Sequence, residues 1–469
     1  MKALVFIDHD IVCRHFLMNA AFHPLIQVAD VRFVLPDDGG RRIKFDPAAS
    51  VKGAAIDLIP VDPGRVQIWR WALFADQLKR RPGRAQAEVR RLRWRRLGWK
   101  AAAMLTAAGF PGIEPLFKRW IAKRLALRPN RALSDMLDRE KPDVIIHPSV
   151  LEGVFINDLV EESRARGIPL VVVMNSWDNP STKRAVVGQP DWLLVWGPQT
   201  RDHAVRFMRM TPEKAVPFGA AQFDVFRELP RIDRATFAAR HGIDSASKII
   251  LFAGSSARTD EFAALSALDE AIERGELPGA AAIYRPHPWG EGGRGGERIA
   301  TARWRHVKIH EAMRGYVARL ASGPIGLTLP DYRDTNDLLS VVDVIVSPLS
   351  TILVEAMLHA KPVVVFAPEG PEGSEILNNR LPQFHFEEFL AIPQVGRAKT
   401  FDQLIAALRP RIDPVRGPAI GAALGHIADE FVSTFDRPWG NRLVDFLADK
   451  VVPKSALTSE LSEMQSKRR

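Results

Sequence analysis

The feature that most constrains the fold of this 469-residue chain is a repeated alternation of short apolar segments with longer amphipathic ones. Short apolar segments that alternate with helical segments are typical of parallel strands covered on both faces. We predict a first series of strands at residues 3–7, 31–35, 54–60, 143–147, 170–174, 192–196 and 215–217. A second series is predicted at residues 249–252, 281–284, 325–329, 344–346 and 362–366. The pattern therefore indicates an α/β fold with two parallel sheets.

Two series of strands predict two doubly wound, Rossmann-like domains that face a cleft. The chain is too long for one core, since domains contain roughly 150 residues. We place the first domain at 1–220 and the second at 221–420, followed by closing helices at 421–452. The polar tail at 453–469 is expected to be disordered. Further helices are predicted at residues 12–26, 153–166, 350–360, 401–408 and 421–450.

Composition restricts the compartment and the chemistry. Cys13 is the single cysteine, which excludes an intrachain disulfide framework and a multi-cysteine zinc site. The apolar run at 3–7 is too short for the core of a signal peptide, and no later run approaches the roughly 18 apolar residues needed to cross a bilayer. We therefore expect a cytoplasmic protein, either soluble or peripheral on the inner face of the plasma membrane.

The segment 334–357 carries the strongest functional signal. It reads as a helix, a buried strand, a sharp loop and a second helix. Ser350 and Thr351 supply hydroxyl groups and a capping signal where the strand passes to the helix, and backbone N–H groups at that position suit a diphosphate. Glu355 lies among apolar residues and needs a polar partner, such as the hydroxyl groups of a ribose. The alternative is a buried helix with an ordinary Ser/Thr cap.

A second polar element, R-P-H-P at 285–288, follows the predicted strand at 281–284. The two prolines stiffen the backbone, so Arg285 and His287 are held at the end of the strand. A guanidinium and an imidazole at this position suit the phosphate oxygens of the same ligand. The alternative is a rigid turn with a solvated arginine. The glycine-rich stretch that follows lacks a Walker lysine and is interpreted as a loop.

These motifs resemble the donor half of GT-B glycosyltransferases. The match consists of R-P-H-P, then D-x-N-D-L-L-x-x-x-D-x-x-x-S-x-x-S-T-x-x-x-E-A from residue 334, then K-P-V-V-V from residue 361. It is most similar to surface-polysaccharide enzymes related to CDP-glycerol polymerases, capsule synthesis transferases and UDP-N-acetylglucosamine 2-epimerases. The segments 190–197 and 216–224 also resemble the exit from their first domain, so the match spans roughly 140–370.

The resemblance implies roles for four residues. Ser350, Thr351 and Glu355 would contact the nucleotide diphosphate and ribose, and His287 would lie near the phosphates beside Arg285. The family generally neutralises the leaving diphosphate with basic side chains and a helix N-terminus. No metal and no cofactor is therefore expected, and the partner is a nucleotide-sugar donor.

Three loops of the first domain qualify as the acceptor side. They follow predicted strands at 8–10, 147–149 and 175–183, and the last resembles an S-W-D-N-x-x-x-K segment of bacterial polysaccharide transferases. We expect Trp177 to stack on a sugar, with Asn179 and Lys183 beside it. An inverting transfer needs a base for the acceptor hydroxyl, and the candidates are Asp178, His9 and Asp10. Asp178 can equally hold its own loop as an Asx turn, and a retaining enzyme needs no such base.

A basic helical insert at about 63–138 interrupts the first domain. Residues 65–131 contain 18 Lys and Arg against three acids, although the whole chain carries a net charge of only +10. Six apolar residues fall on one face of a predicted helix: Ile113, Leu116, Phe117, Trp120, Ile121 and Leu125. This predicts contact with an anionic membrane surface, although the same face could instead pack on its own domain. Nucleic acid is excluded as a partner because no binding motif accompanies the charge.

The sequence thus predicts a metal-independent GT-B glycosyltransferase. It would move a sugar from a nucleotide-sugar donor to a cell-surface polysaccharide or lipid-linked glycan. The alternatives are a CDP-glycerol-type polyol-phosphate transferase, a nucleotide-sugar 2-epimerase and a non-catalytic membrane scaffold.

Overall fold

The structure of the chain is a computed structural model. It describes residues 1–40, 42–48, 50–80, 103, 107, 112–149, 153–178, 180–181, 186–288, 293–321, 330–381 and 383–451. The chain divides into two compact units. The first unit contains Met1–Gln222 and the C-terminal segment from Ser433, and the second contains Phe223–Val432.

The first unit is built on a seven-stranded parallel sheet of order β3-β2-β1-β4-β5-β6-β7. Its strands are β1 Lys2–Phe6, β2 Asp30–Asp37, β3 Ala55–Pro60, β4 Val144–His147, β5 Leu170–Val173, β6 Trp192–Val195 and β7 Ala215–Pro217. Helices or helical turns occupy Asp10–Val12, Cys13–Leu17, His23–Val28, Pro63–Arg80, Glu114–Ala126, Arg131–Glu140, Ile156–Arg166, Pro198–Met208, Pro212–Lys214, Trp439–Phe446 and Leu447–Val451. Strands β1, β4, β5 and β6 are almost wholly buried because helices cover both faces of the sheet, whereas only Ile59 is buried in the edge strand β3.

The second unit has a six-stranded parallel sheet of order β10-β9-β8-β11-β12-β13. Its strands are β8 Lys248–Ala253, β9 Ala280–Arg285, β10 Val307–Ile309, β11 Val344–Ser347, β12 Val363–Phe366 and β13 Gly396–Ala398. Its helices and helical turns are Arg234–His241, Glu261–Glu273, Gly296–Thr301, Glu311–Met313, Arg314–Arg319, Tyr332–Val341, Ile352–Leu358, Gly370–Glu372, Glu375–Arg380, Phe384–Leu390, Phe401–Ile412 and Arg416–Phe431. A turn of 3-10 helix, Ala221–Arg227, joins the two units in the chain.

The predicted α/β class with two doubly wound parallel sheets is confirmed. Three details of the prediction are wrong. The helix expected at 12–26 is broken, because Ala20 adopts a left-handed φ of 53° and Pro24 starts a new helix. The helix expected at 421–450 is also two helices, which end at Phe431 and begin at Trp439. Strands β10 and β13 were not predicted, and the strand expected at 325–329 lies outside the described residues.

Both sheets have a topological switch point, where neighbouring strands are not consecutive in the chain. In the first sheet β1 lies between β2 and β4, and in the second β8 lies between β9 and β11. In open α/β sheets, ligands bind beyond the carboxyl ends of the strands at such points. The loops after β1 and β4, and those after β8 and β11, are therefore the places to look for function.

Candidate functional site

At the carboxyl edge of the second sheet, three neighbouring strands end in one row. Arg285 of β9 is in register with Ala253 of β8, and Phe252 of β8 is in register with Val346 of β11. Ser347 therefore lies in the same row as Ala253 and Arg285. Residues that are far apart in sequence thus meet at the switch point, as expected for Arg285 and the loop after residue 346.

Arg285 is a buried cation held by a side-chain hydrogen bond. It is 9% exposed, and its Nη2 donates to Thr335 Oγ1 at 2.9 Å. Two residues further, His287 is half-buried, and its backbone oxygen accepts a hydrogen bond from the hydroxyl of Tyr316 at 3.1 Å. Arg285 therefore ends β9 as a buried, hydrogen-bonded side chain and not as a freely solvated arginine, and His287 follows it with a hydrogen-bonded backbone.

The loop after β11 contributes buried and half-buried hydroxyl groups. Ser347 is fully buried, and its Oγ has no hydrogen-bond partner in the described part of the chain. Ser350 and Thr351 are half-buried, and Glu355 is 7% exposed in the first turn of the helix Ile352–Leu358. Hydroxyls and a carboxylate thus gather beside the row that contains Arg285.

The capping role expected of Ser350 and Thr351 is wrong. Thr351 is the residue before the helix, but it already has helical dihedral angles, with φ −61° and ψ −27°, and its side chain makes no capping hydrogen bond. A capping residue normally adopts extended angles that aim its side-chain oxygen at the first N–H groups of the helix. The hydroxyl of Thr351 is therefore not used to cap this helix.

The sequence analysis missed a third loop, Gly254-Ser255-Ser256, which follows β8. Arg380 joins this loop to the one after β11. Its Nη2 donates to Ser256 Oγ at 2.9 Å and its Nη1 to Leu349 O at 3.3 Å. A Gly-Ser-Ser run directly after a buried strand was the available signal for the loop. Arg380 gave none, because it lies in a separate helix of ordinary composition.

The buried carboxyl group of Glu261 stabilises the same loop. Glu261 Oε1 accepts a hydrogen bond from Ser255 N at 3.0 Å, and its Oε2 accepts one from the hydroxyl of Tyr284. Gly254 leaves room for this carboxylate, since a Cβ at that position would lie 2.6 Å from Glu261 Oε2. Burial raises the pKa of Glu261 to about 7, against the hydrogen bonds from Tyr284 and Ser255.

In the first unit, the predicted candidates for the base occupy different environments. Asp10 Oδ1 accepts hydrogen bonds from the backbone N–H groups of Lys44 and Phe45 at 2.7 and 2.9 Å, so it holds the loop after β2. His9 Nε2 lies 3.5 Å from Asp8 Oδ1 and 3.5 Å from Ser149 Oγ. His9 therefore lies close to Ser149 of the loop after β4. The two loops were predicted as separate candidates for the acceptor side.

The loop after β5 is more enclosed than the sequence predicted. Trp177 is 2% exposed, so the expected stacking of a sugar on its ring is not possible in this arrangement. Asp178 is 6% exposed and accepts a hydrogen bond from Ser176 Oγ at 2.7 Å, which matches the alternative that it holds its own loop. Asn179 and Lys183 lie outside the described residues.

The helix Glu114–Ala126 of the insert packs mainly on the first unit itself. Its side chains Phe117, Ile121 and Leu125 are buried against Ile68 and Trp69 of the helix Pro63–Arg80. Trp120 stacks on Trp71 of the same helix. The other two residues of the predicted face, Ile113 and Leu116, are 44% and 62% exposed. The packing alternative therefore accounts for most of this face.

Among the residues that the structure describes, no group of three or more His, Cys, Asp or Glu side chains is placed to hold a metal ion. None of the helices in the described ranges combines the length and the hydrophobicity that crossing a bilayer requires.

Two doubly wound units, each with polar loops at its switch point, define the GT-B class of fold. No known family profile matches the sequence, and no curated protein matches it significantly. Solved structures do match. The UDP-GlcNAc 2-epimerase of Neisseria meningitidis bound to UDP-GlcNAc is 12% identical, with a TM-score of 0.54 over 96% of this chain and 100% of that one.

Two further structures support the same assignment. The MnaA protein of S. aureus in a structure with UDP is 12% identical, with a TM-score of 0.53 over 95% of this chain and 96% of that one. A glycosyltransferase from Rickettsia africae is 10% identical, with a TM-score of 0.51 over 96% and 98%. At these identities the likeness establishes the fold. The resemblance to GT-B enzymes that the motifs indicated is therefore confirmed at the level of fold.

Proposed function

We propose that the chain is a glycosyltransferase that moves a sugar from a nucleotide-sugar donor to a cell-surface polysaccharide or lipid-linked glycan. The observation that carries this proposal is the row at the edge of the second sheet, where Arg285 and the hydroxyl of Ser347 lie at the switch point. Ligands of open α/β sheets bind at this position. The fold neighbours support it, since two of them are described with UDP-GlcNAc or UDP bound.

In this proposal the second unit binds the donor. Arg285 binds the diphosphate, because a guanidinium matches phosphate oxygens in a bidentate geometry. His287 lies near the same phosphates, and the hydroxyl groups of Ser350 and Thr351 donate hydrogen bonds to them. Glu355 accepts hydrogen bonds from the ribose. These side chains supply the charge neutralisation that a leaving diphosphate needs without a bound metal.

The first unit supplies the acceptor side through the loop that contains Asn179 and Lys183, while the buried Trp177 and Asp178 belong to the packing of that loop. Of the three candidates for the base, His9 is the best supported. The oxygen Oδ1 of Asp10 is engaged by two backbone N–H groups, and Asp178 is bound by the hydroxyl of Ser176. Both carboxylates therefore already hold their own loops.

Isothermal titration with UDP-, GDP-, CDP- and CMP-sugars tests the donor site. We expect one series to bind, and we expect Arg285→Ala and Glu355→Ala each to weaken binding about tenfold or more, as for a charge-assisted hydrogen bond. Arg303→Ala is the matched control, since Arg303 is exposed and donates hydrogen bonds to the carbonyl oxygens of Thr301 and Ala302 in its own loop. Absence of binding to every sugar nucleotide would favour the non-catalytic scaffold, and unchanged binding by both variants would contradict the pocket.

The named alternatives differ in their products. A nucleotide-sugar 2-epimerase is favoured by one observation, the fold shared with the N. meningitidis enzyme. Incubation with UDP-GlcNAc alone separates it from a transferase, because an epimerase changes the sugar without releasing UDP. A polyol-phosphate transferase would instead bind CDP-glycerol and release CMP.

We further propose that the insert contacts an anionic membrane surface. Three apolar residues of the insert stay exposed at the two ends of the helix Glu114–Ala126, namely Ile113, Leu116 and Leu127. Four exposed basic residues lie between them: Lys118, Arg119, Lys123 and Arg124. Apolar side chains flanked by cations match an anionic lipid surface, to which each basic residue contributes about 1 kcal/mol.

Co-sedimentation with vesicles tests this contact. We expect more protein to pellet with phosphatidylglycerol-containing vesicles than with neutral ones, and 0.5 M salt to reduce pelleting because it screens the charges. The double variant Arg119→Glu/Lys123→Glu should lose the preference. Leu116→Ser should reduce pelleting more than Leu229→Ser, a leucine of the second unit that is 90% exposed. Equal pelleting with neutral and anionic vesicles would refute the contact.

A further inference from the structure

The D-T-N-D sequence at residues 334–337 lies in the helix Tyr332–Val341, beside the candidate donor site. Its two central residues are enclosed, since Thr335 is fully buried and Asn336 is 4% exposed. Polar groups that are buried in this way need hydrogen-bond partners. The partners of these two side chains belong to the two halves of the candidate donor site.

Thr335 holds the guanidinium group of Arg285. Its Oγ1 accepts a hydrogen bond from Arg285 Nη2 at 2.9 Å, although the two residues are 50 positions apart in the sequence. A flexible arginine side chain loses conformational entropy when a ligand orders it, and a side chain that is already ordered avoids this cost. The hydrogen bond therefore pre-organises Arg285 at the end of β9.

Asn336 reaches the helix Ile352–Leu358 through His359, the residue at which this helix ends. His359 Nε2 lies 2.9 Å from Asn336 Oδ1, and His359 Nδ1 lies 2.9 Å from the backbone oxygen of Glu355. The imidazole ring thus lies between Asn336 and the turn that contains Glu355. Asn336 is therefore placed to fix the position of the helix that carries this carboxylate.

The helix with the D-T-N-D sequence is itself anchored near the start of the second unit. Asn336 Nδ2 donates a hydrogen bond to Glu228 O at 3.0 Å. Arg231 Nη2 donates to Asp334 Oδ1 at 2.7 Å, and Arg231 Nε donates to Asp337 Oδ2 at 2.8 Å. All four side chains of the D-T-N-D sequence thus make contacts that hold this helix and its neighbours in place.

We propose that Thr335 and Asn336 are positioning residues of the donor site, which fix Arg285 and the helix of Glu355 at the spacing of a nucleoside diphosphate. This inference rests on the donor binding proposed above, in which Arg285 binds the diphosphate and Glu355 binds the ribose. Consecutive residues of one helix hold both groups. Thr335 therefore acts on the diphosphate and Asn336 on the ribose, without contact of their own with the ligand.

Isothermal titration tests the link to the diphosphate. The ligand is whichever of UDP, GDP and CDP binds the wild type most tightly. We expect Thr335→Val, which removes the hydroxyl group, to weaken binding about fivefold or more, and Thr335→Ser, which keeps it, to stay within about twofold of the wild type. In the Arg285→Ala background, Thr335→Val should add less than about twofold, because the group that it positions is absent. Ser340→Ala is the control, since this hydroxyl group of the same helix donates only to Asn336 O.

A pair of ligands tests the link to the ribose. His359→Phe removes the contact with Asn336 Oδ1 while Asn336 keeps its hydrogen bond to Glu228. We expect this variant to bind the nucleoside diphosphate about threefold more weakly, but to bind the analogue that lacks both ribose hydroxyl groups as the wild type does. Thr335→Val should weaken the binding of both ligands equally. An equal loss for both ligands in His359→Phe would overturn the role of Asn336.

A measurement without ligand tests the hold of Thr335 on Arg285. Hydrogen bonding slows the rotation of a guanidinium group, so that its Nη signals are resolved by NMR. We expect resolved Nη signals of Arg285, assigned by their loss in Arg285→Ala, in the wild type and averaged signals in Thr335→Val. Arg234 should give resolved signals in both proteins, because its Nη2 donates to Ser247 O and Asp343 Oδ2 at 2.6 and 2.7 Å. Resolved signals of Arg285 in Thr335→Val would overturn its positioning by Thr335.

The two possible failures are distinguishable. A wild type that binds no nucleoside diphosphate contradicts the proposed donor site. A wild type whose binding is weakened by Arg285→Ala but not by Thr335→Val contradicts the positioning role of Thr335 alone.

Discussion

Glu261 shows how a single residue can link the candidate donor site to pH. Its carboxyl group is 1% exposed and supports both Ser255 and Tyr284. Burial raises its pKa to about 7, above the 4.5 of an exposed glutamate. Below pH 4.5 the group is protonated in folded and unfolded chains alike. As pH rises towards 7, the carboxyl group of Glu261 ionises in the unfolded chain but stays protonated in the folded chain. The free energy of unfolding therefore falls progressively over this range.

We predict that this loss amounts to about 3 kcal/mol between pH 4.5 and 7.5, at 1.36 kcal/mol per pKa unit. Glu261→Gln should remove this pH dependence. The difference in the free energy of unfolding between wild type and variant should therefore change by about 3 kcal/mol between pH 4.5 and 7.5. Hydrogen exchange of the amides in β8, corrected for the intrinsic rate at each pH, measures it. Glu270→Gln, at an exposed position on the same helix, is the control. A pH-independent difference for Glu261→Gln would contradict the prediction.

At the residue scale, the sequence predicted the parts of the site that lie in contiguous motifs. Arg285, Ser350 and Thr351 were selected because they end or closely follow a recognisable strand, and Glu355 was selected as an acid among apolar residues of the next helix. Their roles in binding stay predictions. Residues that reach the site from distant segments were missed, and Arg380 is the example, because its contacts with Ser256 and Leu349 join two separate loops to its own helix. Composition could not indicate that Trp177 would be buried, since a loop tryptophan can face either side.

At the element scale, strand prediction succeeded where every residue is apolar. Strands β4, β5 and β12 are central in their sheets and consist almost wholly of Val, Ile and Leu. Strands β10 and β13 were missed because each has three residues with a basic one in the middle, Lys308 or Arg397. Both lie at the edges of the second sheet, where polar side chains reach solvent. Periodicity therefore identifies buried strands better than edge strands.

The contact between the helices Ile352–Leu358 and Arg416–Phe431 gives a prediction about an element. Gly421 lies against the turn that ends the first helix, and a Cβ there would overlap the carbonyl oxygen of Ala360. A Cβ at Gly425, one turn later, would be 3.1 Å from the Cβ of Ala360, while its backbone neighbours, Ala360 Cα and Met357 O, would lie at 3.5 and 3.7 Å, an ordinary contact distance. The site helix therefore requires glycine at 421 much more than at 425.

We expect Gly421→Ala to destabilise the second unit by about 1–3 kcal/mol, because overlap with backbone cannot be relieved by a rotamer change. Gly425→Ala is the matched control, in which the helix propensity of alanine, about 1 kcal/mol, offsets the tighter side-chain contact. Hydrogen exchange in β11 and β12 measures both variants. Equal effects of the two substitutions would show that the close approach at Gly421 does not limit the packing.

At the scale of the whole molecule, the chain leaves the first unit after Gln222 and returns to it at Ser433. The returning helix Trp439–Phe446 is part of the first core. Trp439 is fully buried, with edge contacts to Phe16, Phe22 and Phe218 at ring-centroid distances of 5.6, 6.0 and 5.7 Å. The first unit is therefore discontinuous in sequence, and its stability depends on residues more than 400 positions apart.

Because the first unit is discontinuous, we predict that a destabilising substitution in the C-terminal helix Trp439–Phe446 lowers the stability of the sheet that contains β1 and β2. Trp439→Ala should cost about 3–5 kcal/mol, as for other large-to-small core substitutions, and should lower amide protection in β1 and β2 but not in β8 and β9. Trp304→Ala is the converse variant, since Trp304 contacts Phe262 and donates to Ser266 within the second unit. It should lower protection in β9 and β10 and spare β1. Loss of protection in β8 and β9 on Trp439→Ala, as large as that in β1, would contradict the division into these units.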